Sequence, residues 1–180
     1  MRRDRAEIDE RFAAYVRERG DHHLRVAVLL TGDWHAAEDL VQASLIKLYQ
    51  AWPRVDLIDG NPDAYLRRVS VNTYRSWWRV RWRRETPVAE LPEHAAGDDT
   101  ADRRALASLI RQALGELPRR QRAVVVLRYL EDLPEAEVAS LLGCSAGSVK
   151  THAHRGLRAL RAKLSENGLP QGNSTSRSTT

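Results

Sequence analysis

The chain has 180 residues, of which 42% are hydrophobic and 29% charged, so it can form one medium domain or two small ones. It has no long apolar run, and its charged N-terminus does not match a secretory signal. We therefore expect a soluble, cytoplasmic protein without membrane insertion. The single cysteine, Cys144, cannot form an internal disulfide, and the scattered histidines predict no metal site or cofactor.

The charges are 29 Lys and Arg against 24 Asp and Glu, a net charge of +5, and nearly all the cations are arginine. Arginine carries a planar fork of donors that fits phosphate groups and guanine edges, which favours a nucleic-acid partner. A GC-rich genome also favours arginine codons. The positions of the arginines must therefore decide between these two explanations.

Apolar residues recur with helical spacing and no strand pattern is found, so the sequence predicts an all-α fold. Composition divides it into two small helical domains, at 8–85 and 103–164. The segment 86–102 contains two prolines and five acids, which predicts an acidic flexible linker. Residues 165–180 are rich in Ser, Thr, Asn and Gly, which predicts a disordered tail.

The first domain is predicted to contain three helices, the first ending near Gly32 and the second stopped by Pro53. Apolar residues of the second helix, such as Leu40 and Leu48, form a stripe that faces the core. Its other side carries Glu38, Asp39 and Gln42. The residues alone favour a solvated face for this polar side.

The third helix, predicted over 63–84, has an arginine-rich face. Between Ala64 and Arg84 there are seven arginines and no acid, which indicates an external polyanion. Tryptophans among arginines suit unpaired nucleotides, because an indole stacks on a base while the cations follow the backbone. Helical spacing places Leu66, Val69, Thr73, Trp77 and Val80 inward and Arg68, Asn72, Arg75 and Arg79 outward, flanked by Trp78 and Trp82.

The second domain is predicted to contain helices over 106–117 and 119–130, followed by a helix-turn-helix. Pro134 suits the start of its first helix, Gly143 the tight turn and Ser145 the cap of the last helix. The last helix buries Val149, Ala153, Gly156, Leu160 and Leu164. Its outer side places Ser148, Thr151 and Arg155 to read base edges and Lys150, Arg158 and Arg161 to hold phosphates, with His154 also outside.

Two separated sets of motifs together resemble an extracytoplasmic-function (ECF) sigma factor of bacterial RNA polymerase, in a SigE-like subgroup common in actinobacteria. The residues that carry this resemblance are Ala37 to Gln42, Asn61 to Val69 with Asn72, Leu117-Pro118, Gln121-Arg122, Leu127 to Tyr129, Gly143 to Ser145 and Val149-Lys150. The resemblance implies a sigma region 2 domain followed by a region 4 domain. Its expected function is to bind core RNA polymerase, recognise the −10 and −35 promoter elements and assist promoter opening.

The resemblance also implies partners and roles. The expected partners are promoter DNA, an anti-sigma factor, and the β′ clamp helices and β flap of the polymerase. The clamp helices would contact Glu38, Asp39 and Gln42, which replaces the solvated face favoured above. The −10 strand would contact Arg67, Arg68, Asn72, Arg75, Trp78, Arg79 and Trp82. The −35 duplex would contact Ser148, Lys150, Thr151, His154, Arg155 and Arg158.

Two other classes of function are alternatives. A helix-turn-helix regulator that binds duplex operators as a dimer would explain the second domain but leave the tryptophan and arginine helix unexplained. A nuclease or recombinase would need clustered carboxylates or a nucleophile near a basic face. The acids that follow the arginine-rich helix in the sequence lie mostly in the linker. We therefore expect a sigma factor that is not an enzyme.

Overall fold

A computed structural model of the chain describes residues 2–55, 60–81 and 101–166, and these are helical almost throughout. The first domain contains α1 (Arg2–Thr31), α2 (Trp34–Arg54) and α3 (Pro62–Arg81). The second domain contains α4 (Ala101–Gly115), α5 (Arg119–Val125), α6 (Glu135–Leu142) and α7 (Ala146–Glu166). No strand occurs within these ranges, and the predicted all-α fold is confirmed.

The predicted linker and tail lie mostly outside the described residues. Within the described part, α4 already includes Asp102, and α7 continues through Ser165 to Glu166. None of the described helices is long and apolar enough to cross a membrane.

Capping residues define where α2 and α3 begin. The Oδ1 atom of Asp33 accepts a hydrogen bond from the Ala36 amide at 2.7 Å, and Asn61 does the same for Ala64 at 3.0 Å. Pro62 occupies the first position of α3, where its missing N–H costs nothing. These ends agree with the predicted helix boundaries to within a few residues.

Two helix boundaries predicted at prolines were slightly displaced, one at a helix end and one at a helix start. The second helix does not stop at Pro53 but continues to Arg54, because a proline this close to the end interrupts only the last turn. Pro134 is not inside the first turn of α6. It precedes Glu135 with an extended backbone, so it fixes the direction in which the chain enters the helix.

The helix predicted over 119–130 changes character near its end. After α5 the chain continues as a π-helical turn over Val126–Leu130, which is wider than an α-helical turn. Val126 and Leu127 at the start of this turn are completely buried, while Tyr129 and Leu130 are about half exposed.

The apolar core is continuous between the two domains. Val71 of α3 is 1% exposed, and the other buried members of its cluster, which include Leu127, Val138 and Val149, all come from the second domain. A second cluster joins Tyr74 and residues of α1 and α2 to Ala123 and Val126. Burying a valine side chain contributes about 1.5–3 kcal/mol, so the contact through Val71 holds the domains together appreciably.

Candidate nucleic-acid interface

The helix-turn-helix has the predicted geometry. Gly143 ends α6 with φ of +62°, in the left-handed region that glycine adopts without strain. The Ser145 hydroxyl then accepts a hydrogen bond from the Ser148 amide at 3.1 Å, which caps the start of α7. Val149, Ala153 and Gly156 are buried, so the predicted inner face of α7 is confirmed for these three residues.

The outer side of α7 is accessible and basic. Lys150, Thr151, His154, Arg155 and Arg158 are all exposed. Ser148 is half-buried, and its hydroxyl lies 2.9 Å from that of Ser145. The helix carries five Lys and Arg residues, and its only acid is the terminal Glu166. Such a surface is suited to a polyanion such as a DNA duplex.

The polar side of α2 is exposed as well. Asp39 and Gln42 face solvent, opposite the buried Leu40 and Leu48. Glu38 is half-exposed and lies 3.7 Å from the ring of His35, as a partner within the same helix. The three residues predicted to contact the polymerase therefore form one accessible surface.

The N-terminus of α3 is attached to α1 by a polar network around Asp63. One carboxylate oxygen accepts a hydrogen bond from the Tyr15 hydroxyl at 2.8 Å, and the other lies 2.8 Å from the Arg19 guanidinium. His23 is buried, and its Nε2 lies 3.1 Å from the same carboxylate. Burial raises the pKa of Asp63, but the hydrogen bonds from Arg19, Tyr15 and His23 outweigh burial and lower it. The network fixes the start of the arginine helix.

Two of the predicted −10 arginines contact the second domain. The Arg67 Nε lies 3.0 Å from Oε2 of Glu131, whose side chain is only 3% exposed. The Arg75 Nη1 donates to the backbone carbonyl of Leu141 at 2.9 Å. By contrast, Arg68 and Asn72 are exposed. The structure therefore divides the predicted −10 residues into an engaged pair and an accessible pair.

The predicted solvent position of Trp78 was wrong. Its ring packs edge-on against Tyr74, with 4.6 Å between ring centroids, beside the second core cluster. The error has a physical cause: Val71, Tyr74 and Trp78 form a second apolar stripe, which packs against neighbouring helices. The side chain of Arg79, and Trp82 altogether, lie outside the described residues.

Among the described residues, no group of three His, Cys, Asp or Glu side chains could hold a metal ion. Cys144 is half-buried and packs against the core cluster that includes Val71.

Comparisons with known proteins match the same two domains. Residues 15–84 match the family described as Sigma-70 region 2, and residues 107–160 match Sigma-70, region 4. The RNA polymerase sigma-E factor of Streptomyces avermitilis is 42% identical over 159 residues, which cover 88% of this chain and 87% of that protein. The ECF RNA polymerase sigma factor SigL of Mycobacterium tuberculosis is 34% identical, covering 87% of this chain and 93% of SigL.

This chain belongs to the ECF family of RNA polymerase sigma factors. A solved structure of the sigma factor RpoE from Bartonella quintana, in complex with the anti-sigma factor NepR, has the same fold. Its TM-score is 0.67 at 24% identity, covering 87% of this chain and 98% of that one. The sigma factor directs transcription initiation, and the alternative of an independent helix-turn-helix regulator is set aside.

The residues that join the two domains of this sigma factor were not predicted from the sequence. Glu131 and Leu141 contact α3, and Arg122 of α5 is buried against the turn at Gly32. The spacing of Val71, Tyr74 and Trp78 was the one available signal, because it marks an apolar stripe separate from that of Leu66 and Thr73. Nothing in the sequence pattern points to Glu131 as the partner of Arg67.

Proposed function

We propose that this sigma factor uses three surfaces at a promoter. The exposed side of α2 would bind the β′ clamp helices of core RNA polymerase, α7 would read the −35 duplex, and α3 would bind the −10 strand. In this assignment residues 8–85 bind polymerase and the −10 element, 86–102 form the linker, 103–164 read the −35 element and 165–180 form a tail. The accessible, basic outer side of α7 is the observation that carries the proposal.

The chemistry of each surface supports its assignment. On α7, Arg155 has the donor geometry for a guanine edge and Thr151 can contact a base, while Lys150 and Arg158 are placed to hold phosphates. On α3, Arg68 and Asn72 are exposed in the part of the helix after Asp63, which contains no acid, so the cations there can follow a single strand. On α2, the carboxylates Glu38 and Asp39 with Gln42 suit a basic protein surface.

Other partners follow from the same assignment. The β flap of the polymerase would hold the second domain near the −35 element. Because the B. quintana relative was solved with an anti-sigma factor, we include an anti-sigma factor among the partners of this chain. Phosphodiester chemistry would belong to the polymerase and strand opening would be driven by binding energy, so the protein is not an enzyme and acts in the cytoplasm. Coupling two weak DNA contacts through one polymerase would raise their joint affinity.

The test is run-off transcription with core polymerase and genomic promoter fragments. Arg68→Ala combined with Asn72→Ala is the informative variant, because both side chains are exposed. We expect it to co-purify with core polymerase normally but to open promoters at least about tenfold less, a loss equivalent to one or two good polar contacts. Arg25→Ala, an exposed arginine of α1, is the matched control and should behave as wild type.

A promoter with a pre-formed mismatched bubble separates opening from later steps. It should restore transcription by the α3 variant, because the strands no longer need to be separated. If the wild-type chain fails to co-purify with core polymerase and instead binds a palindromic duplex alone, the proposed function is wrong.

A further inference from the structure

A polar cluster of four side chains, Asp63 with Tyr15, Arg19 and His23, lies where α3 meets α1, and we call it the anchor cluster. The Arg19 guanidinium reaches both oxygens of Asp63, with Nε 3.3 Å from Oδ1 and Nη2 2.8 Å from Oδ2. Burial and the hydrogen bond to Asp63 raise the pKa of Tyr15, so its hydroxyl keeps its proton and donates to the carboxylate. The His23 Nε2 lies 2.9 Å from the Tyr15 oxygen and 3.1 Å from Asp63 Oδ1, so it carries a proton as well. All three partners of Asp63 thus donate hydrogen bonds from α1.

The anchor cluster is joined to α2 as well. The Tyr15 ring packs against Trp52 of α2, with 5.3 Å between ring centroids, and both rings contribute to the core shared by α1, α2 and α3. Further along α3, the Thr73 hydroxyl accepts a hydrogen bond from Lys47 Nζ of α2 at 3.2 Å. The helix is therefore held at two polar points, Asp63 and Thr73, which are about 15 Å apart along its axis.

The side of α3 that carries Asp63 is opposite its accessible side. At about 100° per residue, the exposed Arg68 and Asn72 are about 140° and 180° around the helix from Asp63. Asp63 therefore lies outside the surface proposed to bind the −10 strand, although it belongs to the same helix. A change at Asp63 can affect that surface only through the position and direction of α3.

Promoter opening, as proposed for this sigma factor, needs α2 and α3 at the same time. Asp39 and Gln42 of α2 would bind the polymerase while Arg68 and Asn72 of α3 hold the strand. The angle between the two helices therefore determines where the strand contacts lie relative to the polymerase, and a misplacement of about 1 Å can cost about a hundredfold in rate. The hydrogen bonds of Asp63 are directional, whereas apolar packing is not, so they fix this angle.

We propose that Asp63 is a positioning residue for promoter opening, which sets the direction of α3 relative to the polymerase-bound α2 through the anchor cluster. The proposal rests on the roles of α2 and α3 in the proposed function. Asp63 acts through Arg68 and Asn72 and makes no contact with the strand itself. Polymerase binding by α2 does not depend on it.

The test uses the full chain, core polymerase and a promoter fragment identified by run-off transcription, and follows opening by permanganate modification of unpaired thymines. Asp63→Asn keeps the size of the side chain but removes the charge that pairs with Arg19. Asp9→Asn is the matched control, because Asp9 also accepts a hydrogen bond from a tyrosine of another helix, Tyr49, but connects α1 to α2 instead of α3. Circular dichroism checks folding, and Tyr15→Phe, which removes only a hydroxyl, is the milder variant if Asp63→Asn unfolds.

We expect the maximal rate of opening to fall about tenfold in Asp63→Asn and to be unchanged in Asp9→Asn, with a smaller loss in Tyr15→Phe. The concentration of sigma factor that half-saturates core polymerase should be the same for all of these variants. Adding Asp63→Asn to the Arg68→Ala and Asn72→Ala variant should change opening by no more than about twofold, because Asp63 acts through those two residues.

Equal opening rates in Asp63→Asn and Asp9→Asn would overturn the positioning role. An equal loss in polymerase binding would overturn it too, as would a loss that multiplies with that of the Arg68→Ala and Asn72→Ala variant, since a general loss of stability gives both results. If the Arg68→Ala and Asn72→Ala variant itself opens the promoter normally, the strand role of α3 in the proposed function is wrong, and the positioning role with it. That variant thus separates failure of the inference from failure of the proposed function.

Discussion

The two helices assigned to promoter DNA, α3 and α7, are both rich in arginine but differ in what surrounds those arginines. On α7 the buried residues Val149, Ala153 and Gly156 share one side, and the cations occupy the other. On α3 a second apolar stripe runs through Val71 and Tyr74, between Arg67 and Arg75. Arg155 and Arg158 of α7 are therefore accessible. On α3, Arg67 and Arg75, which lie beside the apolar stripe, contact the second domain instead.

The comparison of α3 with α7 also shows that a basic helix does not always have accessible cations. Apart from Asp63 at the start of α3 and Glu166 at the end of α7, neither helix contains an acid, and yet Arg67 contacts Glu131 of the other domain. An acid-free face predicts an anionic partner, and in α3 part of that partner is supplied by the chain itself.

The largest effect is expected on the open helix. Arg155→Ala should weaken binding of a duplex carrying the −35 sequence by about 1–3 kcal/mol, and should relax specificity at one base pair, because a bidentate contact to a base is lost. Since Arg155 is exposed, the loss should appear in the free chain, without polymerase. Fluorescence anisotropy with matched and mismatched duplexes measures it.

Lys150→Ala is the control on the same helix. Lys150 is exposed, lies 3.7 Å from Glu135, and is assigned to a phosphate in the function proposed above. Its removal should weaken matched and mismatched duplexes equally and reduce the salt dependence by about one contact. If Arg155→Ala behaves in this way too, α7 does not read bases through Arg155.

Much of this fold follows from local rules in the sequence. Asp33 and Asn61 cap α2 and α3 as short polar side chains before helices do, and Gly143 has the positive φ that its turn position predicts. The accessible outer side of α7 follows from helical periodicity in the same way. All of these features depend on residues that are close in sequence, so the local sequence pattern is sufficient to predict them.

The contact between the two domains could not be predicted in this way. Arg67 and Glu131 are 64 positions apart, and nothing local specifies their pairing. The α3 helix also packs on two sides, so a division into one inner and one outer face misplaced Trp78. The stripe of Val71 and Tyr74 predicts that a partner exists, but only the tertiary structure identifies it.

The next effect concerns Gly143, where the turn of the helix-turn-helix meets α3. Gly143→Ala should destabilise the protein by roughly 1–2 kcal/mol, since alanine is strained at positive φ and its Cβ would overlap the Arg75 guanidinium. Thermal unfolding followed by circular dichroism measures the loss. Combining it with Arg75→Ala should recover the part that comes from overlap.

Gly147→Ala is the matched control. Gly147 lies in the first turn of α7 with φ in the ordinary range, and a Cβ there meets only the Ser145 hydroxyl at an ordinary contact distance. Alanine should stabilise the protein by about 0.4–1 kcal/mol, because it reduces the conformational entropy of the unfolded chain. A destabilisation of equal size at both glycines would show that position 143 has no special contact with α3.

The smallest effect is a dependence of stability on pH through two histidines, His23 of α1 and His152 of α7. Burial lowers the pKa of His23, although the nearby Asp63 carboxylate opposes this, and burial with Arg120 and Arg155 lowers the pKa of His152. Below about pH 6.5 the unfolded chain therefore binds more protons than the folded chain. The free energy of unfolding should fall as the pH is lowered from there.

Substituting each histidine shows whether the two domains unfold as one cooperative unit. His23→Gln and His152→Gln should each flatten the pH profile of the unfolding free energy, measured by urea denaturation between about pH 7 and pH 5. Because Val71 and Tyr74 join both domains into shared clusters, we expect one transition that both substitutions affect. Two transitions, each sensitive to only one histidine, would mean that the two domains unfold independently.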